Sequence, residues 1–370
     1  NSMIGFYNGQ VELLRHFTEK DNFFDVASSD SQKISWSDKL FSDSKRGKKY
    51  SFDENKIILT LFRPFLKSWL YYDKRLNERW YQMHHIFPTQ QHKNVVFSVT
   101  GIGSTKEFSV LISKYIPDLE MISKSQCFPM YWYESIEEYK KRKKKDNPMT
   151  SIFGSSQEEN ENIIDGYIRH DAITDWSLNE FQTNYKDTNI TKEDIFYYVY
   201  GILHSPEYRE KYQASLKKML PRIPFAKDFW VFSKAGRDLA ELHLNYETVE
   251  PYTLKKKWGS KKDYTVKKME FAKKGKQKDK TTIIYNSHLT LSGIPLEAYE
   301  YEVNGRSAIE WIMESYRVKQ DKNSGIVNDP NDWLEEQGNP RYIVDLIKSV
   351  VTVSLGTMKI VKGLPSLEET

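Results

Sequence analysis

One cysteine in 370 residues, Cys127, excludes a disulfide framework and any zinc site built on several thiolates. A reducing, cytoplasmic setting is expected. Long apolar runs are also missing: no stretch approaches the roughly 18 uninterrupted apolar residues of a membrane span, and no charged-then-apolar leader opens the chain. No membrane partner is expected, and Asn1 and Ser2 ahead of Met3 look like a cloning remnant. Charge of one sign is scarce overall, since 55 Lys and Arg face 51 Asp and Glu for a net +4. No period of roughly 20 to 50 residues repeats, which excludes solenoids.

The motifs of familiar enzymes are absent as well. There is no H-E-x-x-H, no G-x-S-x-G and no GK[ST] phosphate loop. His84 and His85 are adjacent in an expected loop or strand, where neighbouring side chains diverge and cannot share a metal. Cys127, between Gln126 and Phe128-Pro129, reads as a small buried hydrophobe rather than a nucleophile. An amino-methyltransferase acting on DNA needs an Asn-Pro-Pro-Tyr type tetrad to hold a flipped base. Neither Asn147-Pro148-Met149 nor Asp329-Pro330-Asn331 supplies one. Neither a catalytic residue nor a metal ligand is expected.

What the chain does have is positive charge gathered in two places. Residues 140 to 145 read KKRKKK, and between Lys255 and Lys280 twelve lysines stand against Asp263, Glu270 and Asp279. Such segments on a nearly neutral chain suit a polyanion, the plainer alternative being solvated loops. Aromatics are dense, at 24 Tyr, 19 Phe and 9 Trp. Trp132 and Tyr133 precede the first basic run and Trp258 lies inside the second, where rings could stack on bases or sugars.

A chain of 43.7 kDa should hold about two domains. The first part alternates short apolar runs with polar turns: 57–62, 69–72 and 95–99 read as strands or short helices. Residues 95–99 run into GIGSTKEF, 101–108, where Gly101, Gly103, Ser104 and Lys106 could hold a phosphate or simply make a tight turn. The basic hexad and the polar stretch after it, 140–165, suggest a flexible crossing. Thr191 with Asp194 three residues on is a capping box, and Ile195, Val199, Ile202 and Leu203 share one helical face. Pro206 opens a second helix carried on by Leu216, Met219 and Leu220, and a third spans about 227–244 with Phe229, Phe232, Leu239 and Leu242 inward. Strands at 281–285 and 300–303 and helices at 307–318 and 341–353 complete a mixed α+β chain. We divide it as a mixed part at 1–145, a linker at 146–165, and a helical and β-containing part at 166–370.

Ten blocks, in order, carry a resemblance: FYN at 6–8, KISW at 33–36, LFRPF at 61–65, VTGIGSTKEFSVL at 99–111 and SQCFPMYWYE at 125–134. They continue with ITKEDIFYYVYGILHSPEYREKY at 190–212, LPRIPF at 220–225, AGRDLAELHLNYE at 235–247, NGRSAIEWI at 304–312 and DKNSGIVNDPNDW at 321–333. The sequence resembles the carboxy-terminal specificity region of type ISP restriction-modification enzymes, single chains that join nuclease, ATP-driven translocase, adenine methyltransferase and target-recognition domain. The resemblance implies a piece downstream of the methyltransferase core that reads double-stranded DNA. S-adenosylmethionine, ATP and Mg would belong to the other domains, which are also the implied partners.

Under that reading, Arg63, Lys106, the hexad with Lys140, Lys141, Arg142 and Lys143, and the lysines from Lys255, Lys256 and Lys257 to Lys262 would neutralise phosphates. Gln126, Arg169, Arg222, Asn323 and Asn328 are candidates for base edges by residue type. Ser104, Thr105, Lys106 and Gln126 supply donors beside stacking surfaces at Tyr131, Trp132 and Tyr133. Two alternatives stay open: a fragment of an adenine-specific methyltransferase lacking its catalytic half, and a coupling module binding DNA without sequence preference.

Overall fold

The protein is described by a computed structural model over residues 2–18, 22–146 and 163–369. Its β-branched and aromatic runs form small sheets, and its longer periodic segments form helices, giving the expected α+β chain. Strands Ile57–Arg63 and Leu66–Tyr71 make an antiparallel hairpin with Ile57 opposite Tyr71. Phe65 turns the hairpin at a φ of 62°, a conformation costly for a non-glycine residue. Burial holds it there: the ring is 1% exposed and packs edge-on against Tyr246 at 5.3 Å.

A second sheet places Val96–Val99, buried along its whole length, between Val110–Ser113 and Gln126–Pro129. Helices Lys192–His204 and Phe229–Leu244 cover it, and Phe97, Val99, Val110 and Ile112 join Phe196, Tyr200 and Phe232 in one core. The capping box is present as read, with Thr191 Oγ1 accepting from the Asp194 amide at 3.1 Å. The second large core lies under the long helix Tyr342–Lys362, against helix Ala308–Ser315 and the sheet of Lys255–Trp258, Leu289–Ser292, Gln277–Ile284 and Glu270–Lys274.

Several expectations change. The helix opened by Pro206 ends at Lys211, a short turn Gln213–Leu216 follows, and Met219 and Leu220 are exposed rather than inward. The last helix runs nine residues past Val353 to Lys362, because Ser354 and Thr357 continue its buried face. His84 and His85 sit on a short helix, Met83–Ile86, not on a loop or strand. The lysine tract is not a solvated loop, since three of the four strands in its sheet draw on it. The basic hexad continues helix Ile136–Asp146. Most of the expected linker, 147–162, lies outside the described residues. Its flanks pair directly, Tyr131–Ser135 against Tyr167–Asp171, and both large cores draw residues from before and after it.

Candidate nucleic-acid interface

Three clefts border the ring of Trp69, which projects from the hairpin strand Leu66–Tyr71 and is 50% exposed; one, about 600 Å³, faces helix Ser2–Leu13 and Tyr50, and the other two carry several cations each. The first of these two, about 720 Å³, lies between the hairpin, the segment around Gln90–Val95 and the edge formed by Tyr131 and Arg169. Strand pairing of Tyr131–Ser135 with Tyr167–Asp171 brings Arg169 beside Tyr131, and the guanidinium sits 4.5 Å from the ring centroid. Lys93 and Lys114 add two more cations, Lys114 Nζ donating to Asn245 Oδ1 at 3.2 Å. Among the described residues no carboxylate lines this cleft. Asn94 belongs to its scaffold, donating to the carbonyls of Ile86 and Tyr131 and accepting from the amides of Val95 and Tyr131.

The second cleft, about 610 Å³, carries more cations but neutralises most of them. Arg63 pairs with Asp118 at 2.6 Å and lies over Phe62, Lys67 pairs with Glu247 at 2.7 Å, and Arg317 and Lys319 share Glu314. Arg306 is held over Trp311 at 5.0 Å. Because a neutralised cation offers little to a phosphate, the carboxylate-free cleft is the stronger site for a polyanion.

The other sequence candidates scatter. Ser104 Oγ donates to Ser123 Oγ and accepts from the Lys106 amide, so the 101–106 segment is a real tight turn that leaves Thr105 and Lys106 exposed. Gly101 is required there, since a Cβ would fall 1.7 Å from the Lys124 carbonyl oxygen. Gln126 lies opposite Val99 with its Oε1 buried and unpartnered. Trp132 is already stacked on His170 at 4.2 Å. Tyr133, expected as a stacking surface, is 1% exposed and donates to the Lys93 carbonyl at 2.7 Å, so it is a core residue, and Tyr131, on the same face at the first position of the strand, is the accessible ring.

Within the hexad, Lys140 and Lys141 are exposed, but Arg142 makes a two-pronged contact with Glu134, Nε at 3.0 Å and Nη2 at 2.9 Å, tying the helix to its strand. Lys143 lies over Tyr139. Lys255 and Lys257 point to solvent, whereas Lys256 faces inward by strand alternation and burial pulls its pKa below the usual lysine value. Arg222 is exposed and its carbonyl accepts from Tyr208. Asn328 lines the second cleft from the small hairpin of Lys319–Gln320 and Val327–Asn328, while Asn323 at its tip accepts from Ser31 through its carbonyl. Cys127 lies 3.2 Å from Ser98 Oγ, and burial pushes its thiol pKa up. Among the described residues no three His, Cys, Asp or Glu side chains gather as a metal site, and no helix is long and apolar enough to cross a membrane.

Trp69, Gln90, Lys93 and Lys114 were not singled out from the sequence. Apart from Gln90 and Lys93 they are distant in the chain, and the four form no basic run, so charge counting passes over them.

A family model described as the Type ISP C-terminal specificity domain matches residues 1–346. A nuclease-deletion mutant of the Type ISP restriction-modification enzyme LlaGI, solved in complex with a DNA substrate mimic, is 36% identical with a TM-score of 0.80, over 100% of this chain and 26% of that one. The ATP-dependent Type ISP enzyme LlaBIII bound to DNA is 34% identical with a TM-score of 0.82, over 100% and 22%. The DrdV–DNA complex is 32% identical with a TM-score of 0.81, over 99% and 33%. The chain thus spans no more than a third of the length of these proteins. Among curated proteins none matches. Sequence, fold and coverage agree that this chain belongs to the family of Type ISP C-terminal specificity domains.

Proposed function

We propose that this chain reads a target sequence in double-stranded DNA on behalf of a larger restriction-modification polypeptide. The observation that carries the reading is the carboxylate-free cleft in which Lys93, Lys114 and Arg169 meet the rings of Trp69 and Tyr131. Cations on its walls suit phosphates, while the forked guanidinium of Arg169 suits a base edge; Gln90 Nε2 already donates to the Ile57 carbonyl at 2.6 Å. The solved relatives that match this chain are DNA complexes, which supports the same reading. Methyl transfer, ATP-driven translocation and cleavage, with S-adenosylmethionine, ATP and Mg, fall in this reading to the methyltransferase, translocase and nuclease parts of that polypeptide. Among the described residues no metal ligands cluster, and the 101–106 turn lacks a nucleotide phosphate loop. A cytoplasmic location goes with the same proposal, because the substrate is cellular or invading DNA.

The test is direct. A preferred duplex is first selected from a randomised library with the wild-type chain, and binding to it is compared with random duplex at fixed salt. Arg169→Ala is expected to weaken discrimination by about 1 to 3 kcal/mol at one base pair while leaving random-duplex binding largely intact. Unchanged discrimination would remove Arg169 and its cleft from the reading surface.

The exposed lysines of the hexad should act differently. Lys140→Ala with Lys141→Ala is expected to weaken all duplexes alike and to flatten the dependence of log K on log salt by up to roughly 0.9 for each phosphate no longer neutralised. Arg142 is left out of this variant because its guanidinium holds Glu134. A slope equal to wild type would make the hexad a solvated helix face.

A further inference from the structure

Arg209, on helix Pro206–Lys211, is a half-buried cation without a carboxylate. Its Nε donates to the Leu203 carbonyl at 2.8 Å and its guanidinium carbon lies 5.8 Å from the Phe108 ring centroid. Among the described residues no Asp or Glu forms an ion pair with it, and no carboxylate acts on its charge. Burial pulls its pKa below the usual arginine value, and a cation withdrawn from water without a counter-charge is costly. Two buried polar atoms that feel the same charge, His204 Nε2 and Tyr301 OH, also lack hydrogen-bond partners.

Arg209 forms one wall of a cavity of about 360 Å³ whose opposite wall is the 101–106 turn. Lys106, Lys217 and Gln213 bring further donors to it, and among the described residues Glu107 and Glu210 are its only carboxylates, both exposed. The turn itself is held rigid, with Gly103 at a φ of 72° donating its amide to the Lys217 carbonyl at 3.3 Å. Thus the element read from the sequence as a possible phosphate holder meets, through the fold, a planar five-donor group from a helix about a hundred residues away. A forked guanidinium flanked by two flexible ammonium groups matches a tetrahedral oxyanion better than a carboxylate or an apolar ligand.

We propose that this cavity is a phosphate socket, with Arg209 at its base and Lys106 and Lys217 at its mouth, and that a backbone phosphodiester of bound DNA occupies it. The identity of the occupant rests on the DNA-reading function proposed above; the phosphate chemistry does not. Two arms keep them separate. In the first, inorganic phosphate is titrated against the full chain at constant ionic strength with chloride as the control, and thermal melting is followed. A phosphate-specific rise in melting temperature is expected, lost in Lys106→Ala/Lys217→Ala and in Arg209→Met. The lysine pair is exposed, so its loss of response cannot be assigned to misfolding, and Arg209→Lys should restore only part of it.

In the second arm the lysine pair is tested on duplex DNA. Its log–log salt slope is expected to fall by about one relative to wild type. No phosphate-specific stabilisation in the first arm overturns the socket. A phosphate response with an unchanged DNA slope overturns the phosphodiester as occupant and assigns the socket to a free phosphorylated ligand. Failure of wild type to bind any duplex would sink the DNA-reading function while leaving the first arm readable.

Discussion

Acidification from pH 7 to pH 4 is expected to cost the folded chain about 3 kcal/mol through His243 alone, with His204 adding to the loss. His243 is 2% exposed, its Nδ1 meeting Tyr200 OH at 2.7 Å and its Nε2 meeting Thr357 Oγ1 at 2.9 Å. Its ring stacks on Tyr301 at 5.1 Å, and His204 stands tilted beside it at 5.5 Å. Among the described residues no carboxylate faces the imidazole, so burial is opposed by nothing and pulls its pKa down to about 3. His204 is lowered well below the ordinary histidine value, by burial first and then by Arg209 and His243.

The sign follows from which state takes the proton. Below about pH 6.5 the unfolded chain protonates these histidines and the folded chain does not, so stability is complete above that pH and declines as pH falls toward the folded pKa. Each group contributes a slope of about 1.4 kcal/mol per pH unit. Asp43 and Asp73 act in a lower window, because hydrogen bonds and neighbouring cations hold both well below the usual carboxylate range. Their stabilising contribution is present above about pH 4 and is lost only beneath it. Urea unfolding between pH 7.5 and 5.5, above the range where unfolded glutamates take protons, therefore isolates the histidines, to which His84 and His170 add because burial lowers them too. His243→Gln should remove about one proton of linkage from the slope, and a pH-independent midpoint across that range would show that neither imidazole is buried neutral.

Gly236→Ala is expected to destabilise the chain by about 3 kcal/mol or more, the upper end for forcing extra volume into a packed interior. A Cβ at Gly236 would stand 1.8 Å from the Tyr197 carbonyl oxygen and 2.9 Å from the Gly201 amide nitrogen. From the other helix, a Cβ at Gly201 would stand 2.3 Å from the Phe232 carbonyl oxygen. The two glycines let helices Lys192–His204 and Phe229–Leu244 cross backbone against backbone, and backbone atoms cannot step aside as a flexible side chain can. Separation would also strain the Ser233 Oγ bond to the Asp194 carbonyl and the pairs of Arg237 with Glu193 and Asp194. Gly5→Ala is the control, since nothing lies within 4 Å of its added methyl and the residue sits inside helix Ser2–Leu13. It should be neutral or stabilising by up to roughly 1 kcal/mol. Equal melting temperatures for the two variants would show that the helix crossing is loose.

Features confined to a turn or a single strand were legible in the sequence. Thr191 and Asp194 cap a helix because both hydrogen bonds close within one turn. The strand at 96–99 and the hairpin strand from Ile57 follow from apolar runs rich in β-branched residues, interrupted only by Ser98 and Thr60 before Arg63. Family membership followed from ten ordered blocks, each a string of side chains and needing no coordinates. What charge counting could not see was pairing. Arg142 sits inside a basic hexad yet belongs to Glu134, eight residues back on a neighbouring strand. Arg63 and Lys67 look available in sequence but are neutralised by Asp118 and Glu247.

The α+β character, the helix starts and the family could all be read from the order of residues, because they depend on composition and on interactions within a few positions. Which side of each strand meets the core could not. Nor could the cover over one face: alternation puts Tyr131 and Tyr133 on the same side of their strand, but it is pairing with Tyr167–Asp171 and the contact of Tyr133 with the Lys93 carbonyl that buries one and leaves the other, at the strand's first position, beside Arg169. The same holds for Arg209, whose want of a counter-ion exists only once Leu203, Phe108 and the 101–106 turn close around it. Burial and charge compensation are sums over neighbours distant in the chain, and the chain order does not contain those neighbours until it folds.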